Sequence, residues 1–331
     1  MIIKSIDFIK NPFVSIVIPS YNRAYTVNQT IESILHQKCN FDFELIIGDD
    51  CSTDKVRVVL LQYQQKYPNL IKLIFQEKNI GLGANWATCV MACRGKYICN
   101  CDNDDYWHNP DKLQIQVDFM ETHSKYGVCH TDYRNHNRET NKIDEVIISN
   151  YTYDNQIYKT IFNGGFRCCN ATVMYRKELI DKYIHLDDYI NYQFTLQDWN
   201  TWIILSHYTE FYCLPVSTAT FGIETESITR PVSYEKTEYR FKKEKECYRY
   251  ICDCFPKDFI FDEQLYDVYV NGVLLSLAYK KGDYKIAHKY GSLLKLKESR
   301  NLKINCSQNF ISFHFLYFCF KIKTIITNLI A

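Results

Sequence analysis

Across the first hundred residues two hydrophobic periods alternate, and few folds accommodate that alternation. Val14–Pro19 (VSIVIP) is a continuous apolar, β-branched run, the pattern of a strand buried on both faces. Tyr25–Gln37 follows with helical spacing, Val27, Ile31, Ile34 and Leu35 being apolar. Glu44–Gly48 (ELIIG), Ile71–Phe75 and Tyr97–Cys101 read as further strands. Between them lie predicted helices over Asp54–Tyr67, with Ser52 or Thr53 available as N-cap, and over Gly83–Cys93. Strand–helix alternation with short connections predicts a parallel sheet covered by helices. Ligands bind such sheets outside the carboxyl ends of the strands, which directs attention to Ser20–Arg23, Asp49–Thr53 and Asp102–Trp107.

Past Pro110 the pattern loosens. A helix runs to about His123 and a strand lies near Val128–Thr131; Asn135–Gly165, polar and rich in Asn, Tyr and Ile, reads as loops with short edge strands. Ala171–Tyr175 reads as a strand entering a helix near Lys177–Tyr183, Trp199–Ser206 as a helix and Glu210–Leu214 as a strand. Beyond Pro231 the pattern is helical, over about Ser233–Cys254, Asp262–Lys280 and Asp283–Leu296. The last two, joined at Lys281-Gly282, form a predicted helical hairpin; one hairpin makes no repeat.

With 331 residues, 47% apolar and 23% charged, the chain can bury a large core and is not of the disordered class. A net charge of +1 lacks the basic surplus of a nucleic-acid binder. Charge is uneven, however: Tyr279–Ala331 holds ten basic and two acidic residues, a surplus of +8 that leaves −7 on the first 278. Within that stretch Phe310–Phe320 is apolar but for Ser312 and His314, and Lys321 and Lys323 follow. It is too short to span a bilayer; it reads either as a segment lying on an anionic membrane surface or as a final core element. Met1–Phe13 lacks the apolar stretch of a signal peptide. The fifteen cysteines include no Cys-x-x-Cys pair, so buried, reduced thiols of a cytoplasmic protein are expected rather than zinc sites.

Three carboxylates stand within four residues in Asp102-Asn103-Asp104-Asp105, directly after a buried strand. They repel one another unless a cation or hydrogen-bond donors neutralise them, and hard oxygen ligands suit Mg²⁺ or Mn²⁺. A calcium loop of the EF-hand type is excluded because Trp107 stands where glycine is needed. The same run also reads as a solvated acidic turn. Asp49-Asp50-Cys51-Ser52-Thr53 has two readings as well, a carboxylate that accepts from a nucleobase or ribose and an N-cap cluster. Gly81-Leu82-Gly83 is followed by Ala84, Asn85 and Trp86, so neither a dinucleotide fingerprint nor a Walker loop is present.

Four ordered blocks, SIVIPSYNRAYTVNQTIESILHQ, FELIIGDDCSTD, NIGLGANW and GKYICNCDNDDYWHNPDKL, resemble the family 2 glycosyltransferases of the GT-A fold. A weaker match through ATVMYRKELI and LQDWNTWIILS extends the resemblance to about Arg230. It implies a GT-A domain over 1–230, with a nucleotide-sugar half at about 12–113 and an acceptor half at 114–230, followed by a helical extension over 231–331. Carried over residue by residue, Pro19 and Tyr21 frame the base and Asp50 reads the uracil or ribose. Asp102 lies near the ribose and donor sugar, Asp104 ligates Mn²⁺ or Mg²⁺, Asp105 is a neighbour of varying role, and Asp198 is the catalytic base. Two positions depart from the family pattern: Gln197 replaces the Glu of its Glu-Asp pair, and Glu224 stands where many members carry a metal-binding His.

The implied reaction is inverting transfer of a sugar from a nucleoside diphosphate, UDP being expected, to an acceptor hydroxyl. A lipid-linked glycan at the inner face of the cell membrane, for capsule, O-antigen or another surface polysaccharide, is the expected acceptor. Asp198 alone also reads as a helix N-cap. Tyr21, Trp107 and Trp199 stand out among the aromatics, Trp107 either walling the acceptor cleft or packing in the core; His130 and Asp132 could edge the cleft. Two other function classes compete. A sugar-1-phosphate nucleotidyltransferase needs a glycine-rich loop where this chain has Ser20-Tyr21-Asn22-Arg23. A non-catalytic protein that retains the fold is supported only by Gln197 and Glu224.

Overall fold

The computed structural model describes residues 2–3, 11–150, 157–164, 168–224 and 233–295. Among them the strands are β1 (Ile2–Ile3), β2 (Val14–Ser20), β3 (Phe43–Asp49), β4 (Ile71–Phe75), β5 (Tyr97–Asn100), β6 (Tyr106–Trp107), β7 (Tyr126–Asn137), β8 (Lys142–Val146), β9 (Met174–Arg176) and β10 (Glu210–Ile223). The helices are α1 (Val27–Leu35), α2 (Val56–Lys66), α3 (Leu82–Met91), α4 (Lys112–Thr122), α5 (Ile157–Phe162), α6 (Lys177–Tyr183), α7 (Leu186–Tyr192), α8 (Gln197–Ser206), α9 (Tyr234–Cys254), α10 (Glu263–Lys281) and α11 (Tyr284–Lys295).

All ten strands join one sheet in the order β1-β4-β3-β2-β5-β9-β7-β10-β6, with β8 added beside β7. The run β4-β3-β2-β5 is parallel, as the alternating pattern predicts. Its far half is mixed: β9 is antiparallel to both β5 and β7, while β10 is parallel to β7. The whole is a mixed α/β sheet flanked by helices, with helices again at the carboxyl-terminal end. β2 is buried at every position, so both faces must be covered. On one face Ile16, Ile18, Leu45 and Ile47 share a core cluster with Val27, Ile31 and Ile34 of α1 and Leu113, Val117 and Met120 of α4. Each fully buried side chain of this size contributes about 1.5–3 kcal/mol. On the other face α3 lies against Gly48, where a Cβ would come within 2.6 Å of Asn85 Oδ1. Cys99, Cys101 and Cys129 sit in the main cluster as small apolar side chains, and eight of the thirteen described cysteines are buried.

Several boundaries differ from expectation. Ser52 and Thr53 do not cap α2: Asp54 Oδ1 accepts from Val56 N at 3.0 Å, while Ser52 and Thr53 bond to Asn22. α8 begins at Gln197, which puts Asp198 inside its first turn rather than at the N-cap. The Ala171–Tyr175 strand is instead a 3₁₀ turn, Asn170–Thr172, followed by β9. β7 and β10 run well past the predicted Val128–Thr131 and Glu210–Leu214.

The chain divides into two units, Met1–Thr225 with Asp253–Asp258, and Glu226–Cys252 with Phe259–Ala331. The second has its own small core of Leu274, Leu275, Ala278, Tyr279, Ala287, Tyr290 and Leu294. Among the described residues no helix is long and apolar enough to cross a membrane. Phe310–Phe320 lies outside the described residues.

Candidate active site

The connection leaving β2 goes one way across the sheet, to β3, while the strand on its other side is β5, reached only after β4. The carboxyl ends of β2 and β5 therefore border the switch point where such sheets leave a crevice. Two loops there are stitched together by side chains. Asn22 and Cys51 both hold positive φ, 52° and 60°. Asn22 Oδ1 accepts from Thr53 N at 2.8 Å, and Asn22 N donates to Ser52 Oγ at 2.9 Å. Pro19 is buried within β2, and Tyr21, 46% exposed, follows at its end. Asp50 uses both carboxylate oxygens to hold the next loop, accepting from Ile80 N at 2.7 Å and Gly81 N at 2.9 Å. Burial raises its pKa, and those two amides oppose the rise.

The Asp102–Trp107 loop has little regular structure, so other elements must satisfy its backbone. Thr26 Oγ1 donates to Asn103 O and Thr30 Oγ1 to Asp105 O, each at 2.6 Å. Arg138 Nη2 donates to Asp104 O at 2.6 Å. Asp105, 1% exposed, accepts from Gly222 N at 2.9 Å and so braces the end of β10 against the loop. Burial, then the charges of Asp104 and Asp102, push its pKa well above the ordinary carboxylate range. Trp107 is a core residue, 3% exposed, its Nε1 donating to Ala171 O at 2.8 Å and Lys112 Nζ lying 4.3 Å from its ring centre.

Two residues beyond Gly222, Glu224 reaches the same place as Asp104. Arg23 joins them: Nη2 is 3.2 Å from Asp104 Oδ2, and Nη1 is 3.1 Å from Glu224 Oε2. Tyr25 donates to Glu224 Oε1 and accepts from Arg23 Nη1 at 3.1 Å. Burial raises the pKa of Asp104, Arg23 lowers it, and Glu224 raises it again. Among the described residues no three His, Cys, Asp or Glu side chains are grouped to hold an ion. Mg²⁺-type sites, however, commonly use one or two carboxylates and take their remaining ligands from water and substrate phosphates. Asp104 and Glu224, converging on a single cationic group, fit that donor set.

Asp102 is held from the core. Asn100 Oδ1 accepts from Trp86 Nε1 at 3.1 Å and from Tyr175 OH at 3.2 Å. Asn100 Nδ2 donates to Asn170 Oδ1 at 2.9 Å, and Asn170 Nδ2 faces both oxygens of Asp102 at 3.3 and 3.4 Å. Burial first, then Asp104, pushes the Asp102 pKa up to about 7, with Asn170 opposing and Asp198 adding to the rise. Asp198, in the first turn of α8, is thus within electrostatic reach of Asp102. Its Oδ1 accepts from Trp199 N at 2.8 Å; burial raises its pKa, toward the range that suits a general base.

The structure therefore brings Asp102, Asp104, Asp198 and Glu224 to one region, with Pro19 and Tyr21 on the neighbouring strand end, and places Trp107 in the core. Asp132 is engaged in holding Ile148 N and Ser149 N at 2.6 and 2.8 Å, and His130 is fully buried. Sequence reasoning missed Arg23, Arg138 and Asn170. Arg23 stood in a loop already singled out, but nothing local marks a residue whose partners lie at positions 104 and 224.

A family model described as glycosyl transferase family 2 matches residues 15–184. The putative teichuronic acid biosynthesis glycosyltransferase TuaG of Bacillus subtilis is 34% identical over 152 residues, 45% of this chain and 59% of that protein. The Escherichia coli UDP-Glc:alpha-D-GlcNAc-diphosphoundecaprenol beta-1,3-glucosyltransferase WfgD is 29% identical over 192 residues, 56% of this chain and 71% of that one. Matches to several other bacterial relatives are partial, and for some the chain spans only 33% to 54% of the relative's own length. Staphylococcus aureus TarS 1–349, solved with UDP-GlcNAc, shares the fold with a TM-score of 0.55 at 16% identity, covering 93% of this chain and 91% of that one. With the family model spanning half its length from β2 to α6, this chain belongs to glycosyl transferase family 2.

Proposed function

We propose that the chain transfers a sugar from a nucleoside diphosphate sugar to an acceptor hydroxyl in one inverting displacement. The observation that carries this reading is the convergence of Asp102, Asp104, Glu224 and Asp198 beside the sheet's switch point. A hydroxyl is a weak nucleophile, and a positioned base that removes its proton as it attacks contributes about 10²–10⁴-fold. Asp198 is assigned that role. Asp102, oriented by Asn170, is assigned to the ribose and donor sugar, with Pro19, Tyr21 and Asp50 on the nucleotide side. Asp104 and Glu224 would hold Mg²⁺ or Mn²⁺, which when bound neutralises charge developing on the leaving diphosphate. The activity for which WfgD is named supports a UDP-linked donor and a diphosphoundecaprenol-linked glycan as acceptor. Residues 12–113 are assigned to the donor, 114–230 to the acceptor, and 231–331 to a helical extension.

Thermal unfolding with UDP, GDP, dTDP or CMP, each in Mn²⁺ or in EDTA, tests the donor site without knowledge of the acceptor. A nucleotide at a hundred times its Kd stabilises the fold by about 2.7 kcal/mol. The expected result is a rise with UDP that EDTA abolishes. No rise with any nucleotide would make this a non-catalytic member of the family.

A further inference from the structure

The cationic group between Asp104 and Glu224 belongs to the chain itself. Arg23 spends one terminal nitrogen on each carboxylate, and the three side chains are only 24%, 23% and 16% exposed. The carboxylates come from loops 120 positions apart, so their approach is a product of the fold rather than of local sequence. Two half-buried like charges at this range repel unless a cation lies between them. We infer that Arg23 is a built-in counter-cation that competes with the divalent ion for Asp104 and Glu224, and that it leaves them when ion and nucleoside diphosphate bind together.

The backbone around Arg23 is tied down, Asn22 to the Ser52–Asp54 loop and Ala24 N to Asp54 Oδ2 at 2.9 Å. The exchange is therefore a side-chain movement on a fixed stem. A divalent ion outcompetes the single charge of a guanidinium, and the arriving diphosphate offers the displaced fork a new anionic partner. Free ion consequently binds weakly, and ion and nucleotide each tighten the other's binding, because such coupling is reciprocal. Tyr25 supports the resting state by donating to Glu224. This inference rests on the proposal that Asp104 and Glu224 are the metal carboxylates.

The test is Mn²⁺ binding to the full chain, read by the loss of the free-ion electron paramagnetic resonance signal, with and without UDP. Wild type is expected to bind Mn²⁺ weakly alone and more tightly with UDP. Arg23→Met should tighten binding of Mn²⁺ alone by about tenfold and shrink the enhancement by UDP. Tyr25→Phe, a milder change, should tighten it by about two- to threefold. Unchanged or weaker Mn²⁺ binding in folded Arg23→Met overturns the inference; if that variant does not fold, unchanged binding in Tyr25→Phe does so. Failure of every protein to bind Mn²⁺, even with UDP, overturns the metal assignment itself.

Discussion

Around the Asp102–Trp107 loop, backbone carbonyls meet side chains from α1 and from Arg138, and the loop's own Asp105 holds the end of β10. In α9, α10 and α11 the backbone satisfies itself beyond the first turns, which Ser233, Asp262 and Asp283 cap. The small Leu274–Leu294 core joins α10 to α11, while α9 meets α10 through the rings of Phe241, Tyr248, Tyr266 and Tyr269 and through ion pairs such as Arg249–Glu263 and Lys245–Asp267, individually weak in water. The difference follows from secondary structure. A loop must find partners for its amides and carbonyls elsewhere in the chain, so each partner fixes a position; a helix needs only an apolar stripe, so many side chains serve equally well. Positional accuracy is concentrated where the carboxylates are.

Asp198→Asn should break the site most cleanly, lowering transfer by about 10²–10⁴-fold or more while nucleotide binding stays near wild type. Transfer persisting near the wild-type rate would remove Asp198 as the base.

Two glycines sharpen the contrast between the regions. A Cβ on Gly222 would strike Asp104 O and come within 2.9 Å of Arg138 Nε, whereas one on Gly272, inside α10, meets nothing within 4 Å. Gly222→Ala should cost about 1–3 kcal/mol in denaturant unfolding and weaken Mn²⁺ binding by displacing Glu224. Gly272→Ala should stabilise the fold by about 0.4–1 kcal/mol and leave transfer unchanged. Equal effects at the two positions would refute the contrast.

Asp102 supplies a pH-dependent comparison of intermediate size. Its folded-state pKa, about 7, lies above the ordinary 3.8, so the folded chain holds this proton more tightly than the unfolded one. The associated stability is fully present below about pH 4 and is lost as pH rises through about 7. Asp102→Asn removes that loss. It should raise Tm at pH 8 by about 2–4 °C, a gain on the order of 1 kcal/mol, and the gain should vanish near pH 4. A gain that persists at pH 4 would point to packing instead.

The parallel half of the fold was legible because strands buried on both faces leave continuous apolar runs, VSIVIP above all. β10 was half hidden: Pro215 and the polar Ser217, Thr218 and Thr220 erase the period. The strand accommodates them with register shifts between Leu214 and Ala219 and a bond between the Thr131 and Thr218 hydroxyls at 2.6 Å. α7 went unread because Asp187, Asp188 and Asn191 interrupt a single short turn pattern. Asp50, Asp102, Asp104 and Asp105 stood out since strand ends place carboxylates beside one another in sequence, whereas Asp198 and Glu224 were marked only by the family resemblance. Arg23 and Asn170 did not stand out: their carboxylate partners lie 68 to 201 positions away, and a loop arginine or a buried amide carries no local mark.

The buried relay ending at Asp102 has a direction, and a tryptophan sets it. An indole N–H can only donate, so Trp86 obliges Asn100 to present its oxygen to the core and its NH₂ group outward. Asn170 must then receive on its oxygen, which leaves its own NH₂ group for Asp102. Neither amide can turn over without leaving two donors face to face. The relay is thus held in one sense from both ends, by an indole that can only donate and a carboxylate that only accepts when ionised; replacing Trp86 by Phe would remove the core's half of that constraint and leave Asp102 alone to order both amides.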